Sequence, residues 1–72
     1  MAEGPIITAI GEPYYIQDKN GWMFAYRIQF GEIDWTFRTI IPDGGTDADR
    51  KSQAKNQLVA FLKAAAAAAE RL

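Results

Sequence analysis

The chain has 72 residues and a formal net charge of −1, and it contains neither cysteine nor histidine. That length suits one small domain, residues 1–72, near the lower limit at which a hydrophobic core alone sustains a fold. The missing residue types exclude a disulfide framework, a thiolate metal site, and the commonest metal ligand and proton shuttle.

The opening residues, MAEGPIITAIGEP, carry Glu3 and no positive charge ahead of an apolar run, so they lack the basic region of a signal peptide. With the absence of cysteine this gives a cytoplasmic expectation. The alanine run at 64–69 falls far short of the roughly 20 apolar residues that a membrane span needs.

In chain order, IITAIGEPYYIQ (6–17) is rich in strand-forming residues and is interrupted at Gly11-Glu12-Pro13. Proline cannot donate to a ladder, so Pro13 places this first strand at a sheet edge or marks a bulge there. Asp18-Lys19-Asn20-Gly21 has the form of a type I turn closed by a left-handed glycine. That turn pairs residue 18 with 22, 16 with 24 and 14 with 26, which sends Tyr14 and Ile16 to one face and Tyr15 to the other. A two-residue Asn20-Gly21 turn would invert the assignment and set Gln17 opposite Phe24.

Residues 22–41 alternate strongly. Trp22, Phe24, Tyr26, Ile28 and Phe30 form one set, continued after Gly31-Glu32 by Ile33, Trp35, Phe37, Thr39 and Ile41. Gly31-Glu32 suits a type II′ turn, which pairs Phe30 with Ile33, Ile28 with Trp35 and Tyr26 with Phe37. The middle strand is then central in a three-stranded antiparallel meander. Pro42 ends the third strand, and Asp43-Gly44-Gly45-Thr46 forms the connection. Thr46 is placed to cap a helix beginning at Asp47, with Asp49 three residues on. Ala54, Leu58, Phe61, Leu62, Ala65 and Ala69 recur at helical spacing and define its inward stripe. The expected fold is α+β, in the order β-β-β-α, with one long C-terminal helix packed on the aromatic face. Trp22, Trp35 and the phenylalanines read as core, not as base-stacking or ligand-binding groups.

The other sheet face is left open by a single helix, and it has a mixed composition. In the expected register Tyr15, Ala25 and Arg38 form one cross-strand row, Pro13, Arg27 and Thr36 the next, and Gln17, Met23 and Ile40 a third. Gln29 lies on the same face, and Lys19 beside it in the turn. Tyrosine, methionine and arginine are enriched at protein interfaces. The candidate binding residues are therefore Arg27, Arg38, Tyr15, Met23, Gln29, Thr36, Ile40 and Lys19, with a protein partner or a second copy of the chain as the ligand. The plainer reading is a solvated face on which Asp34 pairs with Arg27.

In topology, a three-stranded sheet with a C-terminal helix resembles the plant AP2-type DNA-binding domain and the arm-binding domain of phage integrases. The resemblance implies DNA binding through the same face, where Arg27, Arg38 and Lys19 would meet phosphates or base edges. It is one of architecture, and no residue motif carries over. Charge is only modestly segregated, with three basic and six acidic groups in residues 1–45 against five and three in 46–72.

No catalytic group and no cofactor is expected. Ser52 and the threonines have no histidine base, and Glu12, Glu32 and Asp34 have no cleft to shift them. The stretch PDGGTDADR lacks both the calcium-loop pattern and a Gly-Lys-Ser/Thr phosphate loop, so no metal is expected. The six alanines make a strong helix without a specific face, so the helix end either projects into solvent or packs on another alanine surface. The free edge of the third strand offers a further route to self-association.

Overall fold

The computed structural model describes residues 4–72, so the expectation that Met1–Glu3 do not open a signal peptide falls outside the described residues. The elements are β1 (Ile6–Ala9), β2 (Tyr14–Ile16), a single 3₁₀ turn (Gln17–Lys19), β3 (Gly21–Phe30), β4 (Ile33–Pro42) and α1 (Asp47–Ala69). They form an antiparallel sheet with one long helix across one face, an α+β architecture. The central strand is β3, with β4 along one side and both β1 and β2 along the other.

The sheet has four strands where three were expected, because the first is broken. Between the Ala9↔Tyr26 and Tyr14↔Met23 pairs, the edge chain takes two residues more than β3 to cover the same ground. The excess falls at Ile10-Gly11-Glu12-Pro13. There Gly11 takes a left-handed φ of 63°, and the Ile10 amide still reaches the Ala25 carbonyl at 2.9 Å. The interruption expected from Pro13 is thus a double bulge on an edge strand.

The β2–β3 register corrects the sequence reading. Tyr14 pairs with Met23, Tyr15 with Trp22 and Ile16 with Gly21, which places Tyr15 on the helix side and Tyr14 and Ile16 on the open side. The left-handed residue that closes the turn is Asn20, at φ 50°, and Gly21 is already a strand residue. Asn20 suits the role because asparagine tolerates this conformation at small cost. Its side-chain oxygen also accepts a hydrogen bond from the Tyr15 hydroxyl at 2.5 Å. Gly21 is required for a different reason. A Cβ there would lie 2.7 Å from Ile40 Cγ2 and 2.8 Å from the Ile41 carbonyl oxygen, so glycine serves close approach of β4.

The β3–β4 hairpin agrees with the sequence throughout. Phe30 pairs with Ile33, Ile28 with Trp35 and Tyr26 with Phe37. Gly31 has φ 61°, as the first position of a type II′ turn demands. Even-numbered β3 residues and odd-numbered β4 residues consequently face α1. Thr46 caps the helix as expected: its hydroxyl accepts from the Asp49 amide, and the Asp49 carboxylate accepts from the Thr46 amide, both at 3.1 Å.

The core is concentrated at one end of the sheet. Phe24, Ile41 and Ala54 are buried together, with Trp22 and Tyr26 packed against them, and Ile28 and Leu58 are also buried. Arg50 joins them, one helical turn before Ala54. Its guanidinium lies 4.7 Å from the centre of the Trp22 ring. It also donates to the carbonyls of Gly44 and Gly45 at 3.2 and 3.0 Å and pairs with the Asp47 carboxylate. The Trp22 indole N–H donates in turn to Asp43 at 3.0 Å.

Coverage fails toward the β3–β4 turn. Phe30 and Trp35 are 49% and 43% exposed and Phe61 is 41% exposed, so the expectation that all the inward aromatics are core holds only near the Gly21 end. Trp35, Phe37 and Phe61 nonetheless cluster, with Phe61 5.6 Å from Trp35 and 5.5 Å from Phe37. Beyond Ala65 the inward stripe ends, since Ala69 is exposed.

Two substitutions check this account. Gly21→Ala should cost about 1–3 kcal/mol, the usual penalty for overpacking. Arg50→Ala should cost about 2–4 kcal/mol through lost charge-assisted bonds and the uncovered indole. Arg50→Lys should recover only part of the second loss, because an ammonium cannot span the same carbonyls while stacked. Denaturant unfolding measures all three.

Candidate binding face of the sheet

The open face is built by the strand pairings alone. Its cross-strand rows are Tyr14–Met23–Ile40, Ala25–Arg38, Thr8–Arg27–Thr36 and Ile6–Gln29–Asp34. Of the candidate residues, Arg27, Arg38, Met23, Gln29, Thr36 and Ile40 share this face. Tyr15 does not. It lies on the helix side, edge-on to Trp22 with ring centres 5.5 Å apart, and its hydroxyl is engaged by Asn20. Lys19 sits in the exposed 3₁₀ turn beyond the end of the sheet. Pro13 and Gln17 give way to Thr8 and Tyr14 in their rows.

Tyr14, Thr8 and Ile6 are the residues that the sequence reading missed. Tyr14 is 58% exposed and supplies the aromatic group that had been assigned to Tyr15. The difference arises in the turn: with Asn20 as the left-handed residue, the register moves and Tyr14 exchanges faces with Tyr15.

The charge pattern centres on Arg27. Asp34 lies diagonally across the hairpin, and its two oxygens accept from Arg27 Nε at 2.9 Å and from Arg27 Nη2 at 2.5 Å. This fork-to-carboxylate geometry is the strongest form of such a pair. Hydrogen bonding to Arg27 holds the Asp34 carboxyl below its usual range, and the same bond raises the Arg27 guanidinium. Both groups are exposed, so the pair contributes little to stability and instead fixes where the two side chains stand. Arg38 makes no ion pair among the described residues. The face therefore carries one neutralised arginine and one available arginine, amid Tyr14, Met23, Ile40 and Ile6.

Of the hollows on the surface, one of about 430 Å³ is an open depression over Asp43, Gly44, Gly45, Asp49 and Ser52. A hollow of about 170 Å³ lies on the helix side between Pro13, Trp22, Phe24 and Arg50, below the roughly 300 Å³ at which ligand pockets begin. Its guanidinium is already committed to the helix-capping loop. Among the described residues, no group of three or more acidic, cysteine or histidine side chains is placed to hold a metal ion. Among the described residues, no helix is long and apolar enough to cross a membrane. A scan against protein-family models finds no match, and neither do searches of curated proteins and of solved structures.

The Arg27–Asp34 pair makes a pH prediction. Because the folded-state pKa of Asp34 is depressed, its contribution is present above the ordinary carboxylate range and is lost as pH falls through the folded value. A carboxyl NMR titration should show Asp34 titrating below the usual range, and Arg27→Gln should return it there.

Proposed function

We propose that the chain is a small non-catalytic binding module that contacts a protein partner through the open face of its sheet, in a cytoplasmic setting. The observation that carries the reading is the composition of that face. The row Tyr14–Met23–Ile40 lies beside Arg38, which has no ion-pair partner among the described residues, on the side that α1 does not cover. An exposed aromatic and an uncommitted guanidinium amid apolar side chains are the types that anchor protein interfaces. Asp34 neutralises Arg27, which leaves little positive charge for a phosphate backbone and favours protein over DNA.

The test is affinity capture from a lysate of the source cells, with and without nuclease. It compares the native chain with a double variant, Tyr14→Asp plus Arg27→Glu. Both positions are exposed and lie off β4, so the melting temperature should change by no more than a few degrees. Capture of a defined protein that resists nuclease and fails with the variant supports the reading. Capture that survives the double substitution, or that disappears with nuclease, overturns it.

A further inference from the structure

We propose that two copies of the chain associate edge to edge, β4 against β4 in antiparallel orientation, with the two-fold axis at Thr36. The inference concerns the edge of the sheet and draws Arg38 of the open face into the contact; the cysteine comparison below reads the edge alone, apart from any partner of the face.

The central strand β3 is paired on both sides, which leaves two outer edges. One is already disrupted: β1 and β2 are short, separated by the double bulge, and flanked by Pro13. Such devices prevent edge pairing. The other edge is β4, ten continuous residues paired, among the described residues, with β3 alone.

The hairpin sets the phase of that edge. A two-residue turn makes Phe30↔Ile33 a pair that exchanges both hydrogen bonds, so the odd residues of β4 bond to β3. Asp34, Thr36, Arg38 and Ile40 then direct their amides and carbonyls outward. A second strand can satisfy these groups only if it sets even residues opposite even residues.

Charge selects among the symmetric registers that meet this condition. Centring the axis on Asp34 or on Arg38 sets like charges opposite each other. Centring it on Phe37 sets both charges opposite uncharged residues, and centring it on Trp35 shortens the paired stretch. With the axis at Thr36, Asp34 lies directly opposite Arg38 of the partner subunit, and the symmetry repeats the pair. Charges on an edge ordinarily deter pairing. Here they are self-complementary, so they specify one register. A carboxylate has roughly four acceptor positions, and Asp34 can keep its Arg27 bonds while meeting Arg38 of the partner subunit.

The same register accounts for the uncovered aromatics. On the helix side Trp35 comes opposite Phe37 of the partner subunit, at the closer of the two antiparallel spacings. The cluster of Trp35, Phe37 and Phe61, exposed at one end of the helix packing, thereby meets its own symmetry mate. Exposed aromatic surface is removed from water on both copies.

The chain has no cysteine, which makes a direct test available. Paired residues at a hydrogen-bonded position have Cα atoms about 5.5 Å apart, within the roughly 4.4–6.8 Å span of a disulfide. Thr36→Cys should therefore form a disulfide-linked dimer on mild oxidation roughly tenfold faster or more than Thr8→Cys, which lies on the same face at the opposite edge. Light scattering over a dilution series should show the native chain passing from dimer to monomer, and Arg38→Ser should weaken the dimer about tenfold by removing both symmetric pairs. Thr36→Pro removes only an outward amide and should yield a folded monomer by circular dichroism. The cysteine comparison decides the matter whether or not the proline variant folds. A native chain that keeps the mass of one copy at millimolar concentration would overturn the proposal, as would equal cross-linking of the two cysteine variants.

Discussion

The constraint on which the molecule depends is the two-residue turn at Gly31-Glu32. Glycine there reaches a positive φ without steric cost, and the primed turn matches the twist of the strands it joins. The turn holds Phe30 against Ile33, and from that pair every later pairing along β3 and β4 follows. A slip by one residue would turn one strand over relative to the other, sending either Phe24 and Ile28 or Ile41 to water and bringing Arg27 or Arg38 beneath the helix. The division of the sheet into a packed side and an open side, and the phase of the free edge, are consequences of this one loop.

The helix is fixed from its first turn. The Thr46–Asp49 capping box sets where α1 begins, and Arg50 ties that turn to both the Gly44-Gly45 loop and Trp22. Further along, Ala54 and Leu58 are buried, and the Thr39 hydroxyl donates to Gln57 across the gap to β4. Anchoring strongest at the helix N-terminus matches where the sheet is driest. Phe24 and Ile41 lie near that anchor and are buried, while Phe30 and Ile33 lie at the far end and are not.

Much of this was legible in the residues. Alternation over 22–41 identified the two long strands and their faces, since a half-buried hairpin has a period of two. Gly31-Glu32 gave their register, and the Thr46–Asp49 spacing gave the helix start. The first hairpin was not legible in the same way. Asn20 and Gly21 both accept a left-handed conformation, and local preference cannot say which does. What decides is the approach of Ile40 and Ile41 to Gly21, a contact between segments distant in sequence. That one ambiguity exchanged Tyr14 with Tyr15 and altered the composition of the candidate face, while the positions contributed by β3 and β4 were unaffected. Arg50 was missed for a related reason: an arginine at a helical position reads as solvent-facing until a tryptophan on the sheet is known to lie beneath it.

The double bulge carries a consequence for how the chain can vary in length. Because the excess at Ile10 to Pro13 is two residues, odd-numbered side chains face the helix both before it, at Ile7 and Ala9, and after it, at Tyr15. A single residue gained or lost here is taken up within the bulge, because the pairs of β1 with β3 fix that Ile7 and Ala9 face the helix. Insertions and deletions in this segment are therefore compatible with the fold, a tolerance that comes from the ladders holding β1 and β2 to β3 on either side of it.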